Sequence, residues 1–414
     1  MNKIFLLLAA LTVITANADD LLIRNATVHT SGSAGSLEGT DILIRNGQIR
    51  AVGTGLDSSG VQQLDASGKQ ITPGLFGGLS GTGLEEISLA ASTVDSQFDL
   101  PLLRPEFKVS NAYNPNSSLV AITRFDGITQ LLLAPETAGS IIAGQGRMVR
   151  LDGGYSSLLG RPALLINVGA DSSKLTGGSR AAQYMQLRQV FAEAAVNRDH
   201  GGPHQILTGQ GRDTIRQLIK DRWPVLFDAD RASDILQVIA FARAQNIKPV
   251  IVSGAEAWMV ADQLAAAGVP VILNPLANEP EDFDQLGARL DNAALLHAAG
   301  VEIAFTMTSD WSHNARKVRQ AAGVAVAYGL PWQASLAALT RKPASIFGLS
   351  DRLGTIEVGK QADLVIWNGD PLEVTTVAEQ VFIGGRAMPM TSRQTQLRDR
   401  YLPEKPERPR AYIK

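Results

Sequence analysis

Apolar and polar positions change rhythm twice along this chain. Up to about Gly68 the pattern is one of short runs, such as Leu21-Leu22-Ile23-Arg24-Asn25 and Asp41-Ile42-Leu43-Ile44-Arg45, and the second run leads into Asn46-Gly47. Both residues of an Asn-Gly pair tolerate positive φ, so the pair predicts a hairpin between strands. From Ile71-Thr72-Pro73-Gly74-Leu75 to about Leu349, short apolar runs alternate with helical patterns. Thr129–Leu133, Ala163–Ile166, Pro224–Phe227, Pro249–Val252, Pro270–Leu273 and Val301–Phe305 are mostly apolar throughout, as strands buried on both faces of a parallel sheet are. Between them, Ser233–Gln245 and Glu256–Ala267 read as helices that stop at Asn246 and Gly268, residues suited to a left-handed C-terminal cap. Strands return after Gly348, in Gly354-Thr355-Ile356, Ala362–Trp367 and Gln380–Ile383, the last running into a turn at Gly384-Gly385.

Alternation of this kind predicts the α/β class, a (β/α)8 TIM-type barrel over residues 71–350. The flanking strands predict a small composite β-sandwich domain built from both termini, residues 19–70 and 351–395, followed by a loosely ordered tail at 396–414 that ends rich in proline and charge. At the start, Asn2-Lys3, the apolar run Ile4 to Ile14 and Ala16-Asn17-Ala18 have the plan of a signal peptide, residues 1–18, with cleavage after Ala18. A periplasmic or secreted protein follows, with no membrane association after cleavage. The chain has no cysteine, which excludes disulfides, thiolate ligands and a cysteine nucleophile together. With a formal net charge of -2 there is no basic surplus to suggest a nucleic-acid partner.

Three stretches resemble the metal-dependent amidohydrolase superfamily, in particular its imidazolonepropionase-like branch. Leu336-x-x-Leu339-Thr340-x-x-Pro343-Ala344 with Leu353-Gly354-Thr355-Ile356-Glu357-Val358-Gly359-Lys360-Gln361-Ala362-Asp363-Leu364-Val365 resembles the family's exit from the barrel into its β domain. Arg124-x-x-Gly127-Ile128-Thr129 with Gly144-Gln145-Gly146 resembles the second barrel strand and the loop beyond it. The third stretch, Pro73-Gly74-Leu75-Phe76-Gly77-Gly78-Leu79-Ser80-Gly81, is similar to the first strand, where the family carries P-G-x-x-D-x-H-x-H. Aligned without a gap, Gly77 stands at the aspartate position, and Leu79 and Gly81 stand at the two histidine positions.

The resemblance implies zinc or another divalent metal for active relatives, yet here the pattern is degenerate. Neither leucine nor glycine offers a side-chain donor to zinc. Asp228 takes the place of the next histidine, and Ser253 or Gly254 that of the following one. A bridging lysine has no counterpart, with Leu165 nearest its place. Asp310, in Thr308-Ser309-Asp310, corresponds to the aspartate that ends the last barrel strand, and it is the catalytic candidate if the protein is active at all. No metal ligand set and no cofactor are therefore expected.

Other candidates have bland readings beside the chemical ones. His200-x-x-x-His204 has metal-like spacing but lies in a Gly/Pro loop, which reads as solvated. Asp228 and Asp230 could hold a hard cation with Asp310, although Arg231 beside them favours an internal ion pair. Asp310-Trp311-Ser312-His313 could line a ligand pocket or pack as a plain loop, and Glu85-Glu86 reads as a helix start. Neither a G-x-S-x-G elbow nor a P-loop is present.

Two functions remain. One is a noncatalytic barrel, a pseudoenzyme, whose mouth (Leu79, Ser80, Asp228, Asp230, Ser253, Asp310 and His313) binds a small-molecule ligand or an active homologue subunit, with an oligomer possible in the latter case. The other is a hydrolase of C–N bonds in amides or cyclic amides, working through a site rebuilt on Asp228, Asp230, Asp310 and His313.

Overall fold

A computed structural model describes residues 20–100, 103–196, 204–308 and 311–402. The signal peptide expected at 1–18, the distal tail 403–414, His200 and Asp310 lie outside these residues. Five strands open the described chain: β1 (Leu21–His29), β2 (Ser36–Arg45), β3 (Gln48–Gly53), β4 (Gln62–Asp65) and β5 (Gln70–Pro73). Eight more form a second sheet: β6 (Leu75–Ser80), β7 (Ile128–Leu133), β8 (Ile142–Arg150), β9 (Leu158–Asn167), β10 (Pro224–Ala229), β11 (Lys248–Ser253), β12 (Val271–Leu273) and β13 (Ile303–Phe305). Three then close the first sheet: β14 (Leu364–Trp367), β15 (Ala378–Ile383) and β16 (Arg386–Ala387).

The composite domain joins the two chain ends where β14 pairs antiparallel with β5. Its strands are linked by pairing into one sheet, in the order β16-β15-β14-β5-β1-β2-β3, with β4 beside β1. Ile23, Ile42, Ile71, Leu364 and Phe382 are buried together in its core. The hairpin at Asn46-Gly47 has φ of 51° and 74°, the left-handed pair that such a turn demands. Past residue 395 the chain remains ordered longer than its composition predicts. A helix covers Arg393–Tyr401 because Ser392 and Thr395 bond reciprocally in a capping box.

In the barrel the strands run in chain order from β6 to β13, and most neighbours are parallel. β8 departs from that plan: it pairs antiparallel with both β7 and β9. Gly144-Gln145-Gly146, expected in a loop, lies inside this strand. The seam between β6 and β13 carries no strand pairing. Instead the Leu79 amide donates to Thr306 Oγ1 at 3.0 Å, and Gly78 permits the approach, since a Cβ there would lie 2.6 Å from Thr306 Cα. Gly78 also sits at φ +80°, next to a register shift between Phe76 and Leu79 that turns both side chains into the barrel.

Two apolar layers result. Phe76, Leu132, Leu165, Leu226, Val250 and Ile272 fill the interior, and Phe347 closes one end with its ring 5.9 Å from Phe76. A larger cluster, including Ile128, Leu164, Phe227 and Ile251, packs the outer faces of the strands against the helices. Burying each such side chain contributes roughly 1.5–3 kcal/mol. Arg319 ties barrel to composite domain: it donates to the carbonyls of Pro371, Glu373 and Thr376 and stacks 5.2 Å from the ring centroid of Trp367. Among the described residues, no helix is long and apolar enough to cross a membrane.

Candidate functional site at the barrel mouth

Alternation along β10 sets the central residue of the mouth. Val225, Phe227 and Ala229 join the outer layer and Leu226 the inner one, so Asp228 faces inward where the strand ends. Its neighbour in the next strand is Ser253, whose Oγ donates to Asp228 Oδ1 at 2.6 Å. Ser253 has φ +70°, a conformation costing about 1–2 kcal/mol outside glycine. Strain of this kind gathers where a side chain must be aimed.

Burial raises the Asp228 carboxyl above its ordinary range, and the Ser253 bond only partly offsets this. Asp230, one turn of the pleat further on, is pushed up to about 7 by burial and then by the neighbouring Asp228. Its two oxygens are taken by the Ala255 amide and by Gln285 Nε2, each at 2.9 Å. Arg231 is exposed and pairs with neither acid, so the internal ion pair expected from the sequence is not formed. The strand turns outward at that point, and backbone and amide groups satisfy Asp230 instead.

Two adjacent cavities open at this level, one of about 500 Å³ and one of about 720 Å³. Asn167, Asp228, Ser253, Met307 and Thr308 border both. Leu79, Leu226, Val252 and Trp311 give the smaller lobe an apolar wall. Of the residues expected at the mouth, Leu79, Asp228 and Ser253 line the smaller lobe, and Asp228, Asp230 and Ser253 line the larger.

Ser80 and His313 do not line either lobe. The β6 side chains alternate, so with Leu79 inward Ser80 is fully buried on the other face, donating to the Trp311 carbonyl at 3.0 Å. His313 lies on the short helix Trp311–Asn314, from which Trp311 is the residue that reaches the cavity. Asp310 falls outside the described residues, as does His200; His204 is exposed.

Sequence reading missed two acids. Glu85 starts no helix: it lies in the loop after β6, is 5% exposed, and accepts from Ser312 Oγ at 2.7 Å. Glu136, in the loop after β7, accepts from Trp311 Nε1 at 2.8 Å. Burial pushes its carboxyl up, the Trp311 bond opposes the shift, and the charge of Glu85 adds to it. Both acids line the smaller lobe.

Such an arrangement defines a TIM-type barrel with a polar, acidic mouth at the strand ends, the face where barrels of this kind place their sites. The chain is similar to amidohydrolases over part of its sequence and in its fold. Residues 205–389 match the model of the Amidohydrolase family. It is similar to the crystal structure of an amidohydrolase from Thermotoga maritima MSB8, with a TM-score of 0.80 and 26% identity over 89% of this chain and 99% of that one. Molinate hydrolase shares the fold alone, at TM-score 0.56 and 15% identity over 90% of this chain and 95% of that one. A 74-residue segment is 45% identical to Amidohydrolase tasK of Hapsidospora irregularis, covering 18% of this chain and 8% of that protein.

The divalent metal that the family resemblance implies does not fit the side chains present. Gly77, Leu79 and Gly81 give no donors, and the space at Gly81 is already filled: a Cβ there would lie 2.5 Å from Ser312 Oγ and 3.5 Å from Glu85 Oε2. Among the described residues, no three His, Cys, Asp or Glu side chains converge as a metal set.

Proposed function

We propose that this protein is an exported, noncatalytic amidohydrolase-type barrel that binds a small molecule at its mouth. The observation that supports it most is the filled space at Gly81, where Ser312, Glu85 and Trp311 occupy the volume that a second strand-end histidine would need. On the opposite side, Asp228 is bonded to Ser253 rather than to a partner that could share a metal. Without a metal to lower its pKa, a water molecule at the mouth is a poor nucleophile near neutral pH. Fold membership names a scaffold, and the depleted donor set argues against the scaffold's usual chemistry. The N-terminal pattern ending at Ala16-Asn17-Ala18 supports a periplasmic or secreted location.

The test is a hydrolysis assay on a panel of amides and cyclic amides, with zinc or manganese added. No turnover above the protein-free rate is expected. Turnover that disappears in Asp228→Asn would contradict the reading and favour a rebuilt hydrolytic site.

A further inference from the structure

Charge at the mouth is one-sided. Glu85, Glu136 and Asp228 line the smaller lobe, and Asp230, Glu279 and Asp282 are among the acids lining the larger. No lysine, arginine or histidine lines either lobe among the described residues. Asp284, a further lining acid, is ion-paired with Arg180, but no basic partner meets Asp228, whose Oδ2 receives no hydrogen bond from the described residues. Low-dielectric walls focus the field of such a cleft onto whatever enters it.

A second, independent feature of the larger lobe is an unsatisfied acceptor on a residue of its lining. Asn292 lines it and is 5% exposed, and although its Nδ2 donates to the Gly254 carbonyl at 2.9 Å, its Oδ1 has no donor. A buried acceptor left unsatisfied is costly unless a ligand completes it.

Resting on the noncatalytic reading, we propose that the mouth binds an organic cation: an apolar body against Leu79, Leu226, Val252 and Trp311, and an ammonium or guanidinium group held by Asp228 where the lobes meet. The apolar wall and the Trp311 ring suit a carbon skeleton better than a bare ion. A divalent metal is a poorer occupant. Both oxygens of Asp230 are already bonded and the acids do not converge as a ligand set. An ammonium group, by contrast, brings its own N–H donors to separate acceptors.

Calorimetric titration of the purified protein with 4-phenylbutylamine, 4-phenylbutan-1-ol and 4-phenylbutyrate separates charge from shape. The amine is expected to bind at least about tenfold more tightly than the alcohol, with the carboxylate weakest. Asp228→Asn should bring the amine down to about the level of the alcohol. Equal binding of alcohol and amine, or tighter binding of the carboxylate, would overturn the cation inference and leave the small-molecule reading standing. Calcium chloride binding by itself and displacing the amine would overturn it in favour of an inorganic ion. If none of the three organic probes binds, both the inference and the reading beneath it fail.

Discussion

The two sides of the barrel mouth are built in opposite ways. Along β6, the Gly77–Gly81 side is compact and occupied: Leu79 packs into the interior and the Gly81 space holds Ser312 and Glu85. Across the barrel, the ends of β10 and β11 stay polar and open to the cavities, with Asp228 and Asp230 half-buried and without a basic partner among the described residues, and Ser253 held at positive φ. One side is packed shut and the other carries acids without a basic partner among the described residues, together with backbone strain, features that cost stability and persist where they serve a site.

Placing a histidine pair on the packed side is the harshest way to break this contrast. The double variant Leu79→His, Gly81→His should lose about 3 kcal/mol, because a larger side chain must displace the buried Ser312–Glu85 bond. Urea denaturation reads that loss. The same variant should still fail to hold zinc, since no histidine faces it from β10 or β11. Wild-type stability together with retained zinc would show that the two sides remain a matched metal site.

On the polar side, Asp230 makes stability depend on pH. Burial pushes its carboxyl up to about 7 in the folded protein, against an ordinary value of 3.8. Between about pH 4 and pH 7 the unfolded chain releases that proton while the folded one keeps it, so stability falls as pH rises through this window and levels off above it. Asp230→Asn carries no such proton and should flatten the profile, gaining on the order of 2 kcal/mol over wild type above pH 7. Urea midpoints measured across the window check this, and an unchanged slope would mean that Asp230 is not the buried acid responsible.

Local signals were the legible ones. The Asn46-Gly47 hairpin, the helix stop at Asn246 with φ 51° and the strand ends at Asp228 and Ser253 follow from neighbouring residues and their alternation. β8 was not legible, because Gly144-Gln145-Gly146 reads as loop. Its conformation is fixed by distant partners, the Phe107 carbonyl for the Gln145 amide and the Pro105 carbonyl for its side chain. Glu85 and Glu136 escaped for the same reason. They sit in aperiodic loops, and their partners Ser312 and Trp311 lie 227 and 175 residues away. Ser80 was misplaced by one position of alternation, since the Gly77-Gly78 irregularity decides which β6 side chains point inward.

Metal content tests the central claim most directly. Elemental analysis of chelator-free protein, before and after incubation with zinc, manganese and calcium, should find less than about a tenth of an equivalent of tightly held metal, because no donor set is gathered at the mouth among the described residues. Near-stoichiometric metal that survives desalting would contradict the account and return the protein to the metal-dependent hydrolases.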